Sequence, residues 1–184
     1  MTNYIIAESE IKLLGSLCGA TNLQLYTPSI SLQWNNHVVV PVVSIILNDG
    51  NWIIVQSELG YESIDNHGYE VQYITINKQE YPGFPRSSKN ENETRDTNNS
   101  TNTIGFSHKN ELVSISIINY SVEIVEGTSV VFDGSLIFSF NDRKEFYLSA
   151  YMAPGGLLEF SRLVEDIDSI NEGGIVRKVI TKEL

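Results

Sequence analysis

The sequence predicts an α+β protein that is mainly β, with one or more antiparallel sheets of hairpins and meanders and one N-terminal helix packed on them. Three observations lead to this fold class. Runs such as 136–140 and 146–149 alternate with the period-two pattern of pleated strands. Turn-forming Asn, Asp and Gly residues separate these runs. The N-terminal stretch instead has apolar residues at helical spacing.

That N-terminal stretch, 4–18, predicts an amphipathic helix that packs on a sheet, with Gly19 suited to the position just after its end. The apolar residues that define the helical stripe are Ile5, Ile6, Ile11, Leu14, Leu17 and Cys18. Because Cys18 belongs to this stripe, a buried core cysteine is a better interpretation than a catalytic nucleophile.

The first half of the chain carries several further strand signals. Apolar runs predict strands at 23–26, 30–34 and 38–47. Pro41 interrupts the third run, and proline cannot donate to a ladder, so an edge position or a bulge is expected there. Asp49-Gly50 between two apolar runs predicts a hairpin over 45–56.

The following segment, 57–70, is polar and acidic, and it predicts a long loop or a short helix around 62–66. Alternation resumes over 69–76, which predicts another strand, and the Pro- and Gly-rich stretch 81–85 ends that unit.

A polar tract at 86–103 contains no aliphatic or aromatic residue. Such a tract cannot bury enough apolar surface to offset its ordering entropy. We therefore expect a flexible excursion that separates two strand-rich halves of a single domain, 1–184, or a linker between two subdomains.

The second half repeats the strand pattern. Strands are predicted at 112–118, 120–125, 136–140, 146–150, 157–160 and 175–181. Turns are expected at 126–128 and 141–144, Gly134 indicates a turn or bulge, and Pro154-Gly155-Gly156 stops a strand. The acidic stretch 163–170 is consistent with a short helix or a loop.

The charge of the chain excludes some partner classes. The formal net charge is −11, so nucleic acids and anionic membrane surfaces are not expected partners, whereas basic proteins are. The single cysteine fits a reducing compartment, and the N-terminus lacks the basic and apolar regions of a secretory signal, so a cytoplasmic location is expected. Nothing in the sequence indicates an oligomeric state.

No catalytic or metal-binding pattern is present in the sequence. His37, His67 and His108 are scattered singly, without the spacing of a metal site. The phosphate-binding, dinucleotide-binding, calcium-binding and nucleophile-elbow motifs are also missing. We expect a protein that is not an enzyme and has no cofactor.

Two acidic clusters are the candidate partner-binding surfaces. The first comprises Glu58, Glu62, Asp65 and Glu70 with Tyr61 and Tyr69, and the second comprises Glu165, Asp166 and Asp168. One interpretation is solvated acidic surface. The other is a docking surface for a basic protein, in which the tyrosines act as aromatic anchors.

Two acidic, strand-rich segments, VSIILNDGNWIIVQSE at 43–58 and the meander 136–161, carry a resemblance to a known class of proteins. In composition and rhythm the chain is similar to small immunity proteins of bacterial toxin–immunity pairs. The resemblance implies a cytoplasmic inhibitor that binds a cognate toxin domain and blocks its active site. It carries no residue roles, because no diagnostic motif is shared.

The alternative is a β-sandwich that binds a ligand or carbohydrate, or serves a structural role. Trp34, Trp52 and the tyrosines would then form an exposed stacking platform.

Overall fold

The computed structural model describes residues 2–28, 32–34, 37–64, 67–83, 103–125, 127–151, 157–161 and 173–182. The predictions for 86–102, 154–156 and 163–170 lie outside these ranges.

The described chain is mainly β with one short helix, as the sequence predicts. In chain order the elements are β1 (Thr2–Tyr4), α1 (Glu8–Gly15), β2 (Leu23–Pro28), β3 (Leu32–Trp34), β4 (His37–Val40), β5 (Val42–Ile46), β6 (Trp52–Ile64), β7 (His67–Gln79), β8 (Thr103–His108), β9 (Leu112–Val125), β10 (Thr128–Phe140), β11 (Glu145–Tyr151), β12 (Leu157–Ser161) and β13 (Ile175–Thr181). The described helix is too short and too polar to cross a bilayer.

Among the described residues, the strands form two sheets. The larger has eight strands in the order β13-β9-β10-β11-β12-β4-β3, with β1 added in parallel beside β10. The smaller has five strands in the order β7-β6-β5-β2-β8. All recorded pairings except β1–β10 are antiparallel, because hairpins and meanders connect most neighbours.

One cluster of buried apolar side chains draws on both sheets and on α1, and it forms the main core. Ile11 and Leu14, three residues apart on one face of α1, are buried in it. Cys18 also belongs to this core, as predicted, and burial raises the pKa of its thiol. The helix ends at Gly15 with Ser16 as its C-cap, earlier than predicted, so Gly19 does not directly follow the helix. Its φ of 90° belongs to the turn that comes after.

Both hairpins predicted from turn chemistry are present. The β5–β6 hairpin turns at Gly50, whose φ is 80°. The β10–β11 hairpin pairs Phe138 with Phe146, but its left-handed residue is Arg143, at φ 65°, in the turn predicted at 141–144. The predicted irregularity at Gly134 is a bulge in β10, since the register with β9 shifts between Asp133 and Ser135.

The loop or short helix predicted for 57–70 is wrong. Residues 57–64 continue β6 and residues 67–70 begin β7, and the two pair in unbroken register from Trp52–Gln79 to Ile64–His67. Apolar residues are sparse in this segment, and each of its cross-strand pairs includes a polar residue or glycine. The cross-strand hydrogen bonds of an antiparallel ladder do not require apolar alternation.

Other boundaries differ for identifiable reasons. Tyr4 belongs to β1 and not to the helix, which begins at Glu8. Pro41 marks the point where the chain leaves β4 in one sheet for β5 in the other, so it is neither an edge nor a bulge position. The polar tract ends in β8, a strand that the sequence pattern does not predict. The two strands predicted between 112 and 125 are the single strand β9.

Candidate functional site

The first predicted acidic cluster lies on the half of the β6–β7 hairpin nearest its turn, residues 58–64 and 67–73, which we call the outer half. Glu58, Tyr61 and Glu62 belong to β6, and Tyr69 and Glu70 belong to β7. Asp65 and the second cluster, Glu165, Asp166 and Asp168, lie outside the described residues.

The hairpin register places glutamates opposite tyrosines. The three pairs are Glu58–Tyr73, Tyr61–Glu70 and Glu62–Tyr69. Because neighbouring residues alternate between the faces of a strand, Tyr61 and Glu70 lie on one face, and Glu58, Tyr69 and Tyr73 lie on the other. The predicted cluster is therefore divided between two surfaces.

The Tyr61 face continues the core-facing row of β6 into solvent. Ile53 and Val55 in that row are fully buried, whereas Leu59 is 51% exposed and Tyr61 is 63% exposed. Tyr61 lies about 20 Å beyond Val55 at the rise of a β-strand. The hairpin thus extends an apolar row past the point where the core covers it.

Gly68 holds the Tyr61 ring in place. A Cβ built on Gly68 would lie 2.7 Å from Tyr61 Cζ, so the ring packs directly against the glycine backbone. An aromatic side chain that covers a cross-strand glycine stabilises the pairing and loses side-chain freedom. Tyr61 is consequently an exposed aromatic residue in a fixed position.

The opposite face is organised around Glu58, whose carboxylate accepts three hydrogen bonds. Tyr73 Oη donates to it at 3.2 Å, Thr75 Oγ1 at 3.2 Å and Gln56 Nε2 at 3.1 Å. Burial, followed by the charge of Glu58, raises the pKa of Tyr73. Glu58 therefore has a structural role in this face as well as contributing negative charge.

Tyr4 of β1 connects the Glu58 face to the larger sheet. Its ring stacks on Tyr73 with centroids 4.7 Å apart, and it covers Gly60, where a Cβ would lie 2.6 Å from Tyr4 Cζ. One face of the outer hairpin is thus partly covered from within the molecule, which leaves the Tyr61 face as the more accessible one.

The charge of the hairpin is uniformly negative. Between Trp52 and Asn77 the sequence contains four acidic residues and neither Lys nor Arg. Lys78, at the base of the hairpin, is bonded to Asp49 at 2.8 Å. The outer half therefore presents carboxylates and tyrosine hydroxyls, which suit recognition of basic groups.

Other ionisable groups form structural clusters. Asp133 is fully buried and accepts from Arg177 Nε at 2.9 Å, Arg177 Nη2 at 2.6 Å, Asn119 Nδ2 at 2.9 Å and the Ile6 amide at 2.8 Å. Arg177 is the extra residue of a bulge in β13, which turns its side chain toward Asp133. Every oxygen of this carboxylate is satisfied.

A second cluster stabilises the β10–β11 turn. His108 Nε2 lies 3.2 Å from Asp142 Oδ1, Asn110 Nδ2 donates to Asp142 Oδ2 at 2.7 Å, and the His108 ring packs on Phe140. Burial acts to raise the pKa of Asp142, but hydrogen bonds from Lys144, His108 and Asn110 lower it overall. Across the described ranges, no three His, Cys, Asp or Glu side chains are grouped as metal ligands would be.

We expect the free energy of unfolding of the Asp142→Asn variant to change less with pH in the acid range than that of wild type. A lowered folded-state pKa means that the stabilisation is present above the ordinary value of 3.8 and is lost as pH falls through the lowered pKa. Denaturant unfolding at pH 7 should show the variant as less stable than wild type, and the difference should close toward pH 2. A difference that stays constant with pH would contradict the proposed role of the carboxylate.

The tryptophans of the alternative function lie in different sheets. Trp52, in β6, is half-buried and packs edge-to-face on Tyr26 with centroids 5.6 Å apart. Trp34 is in β3 of the larger sheet, and its side chain lies outside the described part.

No protein-family model, curated protein sequence or solved structure matches this chain. The resemblance to immunity proteins therefore stays a prediction, and the case for function depends on the geometry of the chain itself.

Proposed function

We propose that the protein is a non-enzymatic binding protein of the immunity type, which binds and neutralises a basic bacterial toxin domain in the cytoplasm. The outer half of the β6–β7 hairpin is the contact surface. The observation that carries this proposal is the exposed continuation of the core row, Leu59 and Tyr61, beside Glu70.

Tyrosine is suited to the centre of such an interface. It contributes a large apolar ring and a hydroxyl at a small cost in conformational entropy, and Gly68 already fixes the ring. Glu70 stands directly opposite Tyr61 and would pair with Lys or Arg of the partner. The net charge of −11 would accelerate the encounter with a basic domain, and added salt would slow it.

The partner is identified by affinity capture from a lysate of the source cells, with wild-type and variant proteins as bait. Wild-type protein is compared with two variants, Glu70→Lys and the control Glu80→Lys. The control makes the same change in charge about 30 Å from Glu70, just past the other end of β7. The expected partner is a basic protein that wild type and Glu80→Lys retain and Glu70→Lys loses. Its expression alone should be toxic, and co-expression of wild type should restore growth. Identical capture by all three proteins would contradict the proposal.

With that partner in hand, Tyr61→Ala is expected to weaken binding by about 2 kcal/mol, the cost typical of a central interface tyrosine. Gly68→Ala should also weaken binding, because its methyl group displaces the Tyr61 ring without removing it. Isothermal titration calorimetry measures both affinities, and thermal unfolding verifies that the variants are folded. Wild-type affinity in both variants would exclude the Tyr61 face as the contact surface.

A further inference from the structure

A groove of about 550 Å³ lies between α1 and β13, and it differs in charge from the rest of the molecule. Lys12 of α1 and Lys178 and Lys182 of the β13 region line it, with Glu8 as its acidic residue. Three of the twelve Lys and Arg residues are thus gathered at one groove of a chain whose net charge is −11. Among the described residues that line the groove, three are positive and one is negative, which favours an anionic occupant.

The lysines of the groove are not equally available. Lys178 Nζ contacts both carboxylate oxygens of Glu8, at 3.1 and 2.9 Å. Lys12 and Lys182 are exposed, and no ion pair is recorded for either within the described ranges. The aliphatic part of Lys182 packs on Gly19, which places its ammonium group beside the groove. The pKa of Glu8 is lowered mainly by its hydrogen bond to Lys178, and the charge of Lys12 adds a smaller contribution. Lys12 and Lys182 therefore face solvent without a direct ion pair to a described residue.

The second feature of the groove is a strand edge. β13 is the terminal strand of the eight-stranded sheet, paired with β9 on one side and with no described strand on the other. The Ile180 carbonyl accepts from Cys18 Sγ at 3.6 Å. An exposed edge of this kind is a template for an added strand, since its remaining amides and carbonyls can pair with an extended peptide.

The two faces of β13 differ in chemistry. Lys178 and Ile180 pair with the core residues Ile117 and Ile115, so they point to the α1 side. The bulge at Arg177 brings Val176 and Val179 onto the opposite face, where each is more than half exposed. A strand added at this edge would present one row of side chains to the lysines and the alternate row to the valines.

We propose that the β13 edge is a second docking site, which takes an extended peptide with alternating acidic and apolar side chains. The carboxylates face Lys12 and Lys182, the apolar side chains cover Val176 and Val179, and the peptide backbone pairs with β13. A nucleic acid does not fit this edge, because its sugar–phosphate backbone has no amide groups that could pair with β13. The site is separate from the β6–β7 hairpin, and it goes beyond the immunity role.

The probe is a fluorescein-labelled peptide of seven alternating Glu and Val residues, measured by fluorescence anisotropy at low salt. Saturable binding is expected, and Lys12→Glu with Lys182→Glu should weaken it by about tenfold or more. Lys109→Glu with Lys144→Glu makes the same change in net charge elsewhere and should leave the affinity within about twofold, because screening limits distant surface charges. Equal weakening by the two double variants would overturn the proposal, since it would show attraction by net charge alone.

A modified peptide tests backbone pairing without any change in the protein. N-methylation of alternate amides removes the donors that face β13, and binding should fall by at least about tenfold, as expected for strand addition. Undiminished binding, or no saturable binding of the original peptide, overturns the proposal. A concentration-dependent dimer in sedimentation velocity that no longer binds the labelled peptide would show that a second copy occupies the edge, which also overturns the proposal.

Discussion

Asp133→Ala is expected to lower the free energy of unfolding by about 3 kcal/mol, near the lower end of the cost of breaking a buried ion pair. The substitution leaves the Arg177 guanidinium, the Asn119 amide and the Ile6 N–H without their shared acceptor. Arg177 is 26% exposed and can recover part of its hydration, which keeps the cost below the upper end of the range. Chemical denaturation at pH 7 measures the change.

The Asp49–Lys78 pair provides a matched control. It has a similar contact distance of 2.8 Å, but both side chains are about half exposed. Asp49 also accepts a hydrogen bond from the Asn51 amide at 3.0 Å, so the control variant is Lys78→Ala. It should destabilise the protein far less than Asp133→Ala, as is typical of solvent-exposed pairs. If both substitutions lowered the free energy of unfolding equally, the buried contact between Asp133 and Arg177 would contribute no more to stability than an exposed ion pair.

Phe138→Ala is expected to cost about 3–5 kcal/mol, because it opens a cavity in the centre of the core. Phe138 is fully buried and stacks on Phe146 with centroids 4.5 Å apart and an interplanar angle of 15°. The residue lies opposite Ile115 on one side and Phe146 on the other, so neither neighbouring strand can close the space without losing register. At this chain length the melting temperature should fall by roughly 10 °C.

The control is Val122→Ala, on exposed β9 surface in the same sheet. Val122 is about half exposed, and its truncation should change the free energy of unfolding by about 0.5 kcal/mol or less. A comparably small effect at Phe138 would mean that the core is not packed around that ring.

The elements that sequence alone predicts are those with short-range signals. The β10–β11 hairpin combines alternating apolar residues with a turn rich in Asn and Asp, and both signals lie within 15 residues, at 136–150. The short strand β1 escapes such an analysis because its partner, Val130 to Phe132, is far along the chain. Its parallel pairing with β10 follows from the tertiary fold and from no local pattern.

The outer half of the β6–β7 hairpin shows why the period-two pattern alone does not predict every strand. Its faces carry Glu, Tyr and Gly in mixed order, so the alternation of apolar with polar residues disappears. A usable signal was the cross-strand complementarity of Tyr and Glu around the turn, together with Gly68 two residues from the pair Tyr61–Glu70.

The candidate site was predictable in composition but not in geometry. The sequence identified Tyr61 and Glu70 as neighbours in an acidic segment, whereas only the register places them opposite each other and separates them from Glu58. The lysine groove was not predictable, because Lys12 and Lys182 lie near opposite ends of the sequence and meet only through the packing of α1 on β13.

Hydrogen–deuterium exchange of the protein with its captured partner tests the contact surface most directly. Exchange at the amides of 59–64 and 67–71 is expected to slow at least about tenfold in the complex, because the partner covers the outer hairpin. The Glu70→Lys variant under the same conditions should show no protection. Protection confined to other strands, with the hairpin amides exchanging as in the free protein, would contradict the proposed function.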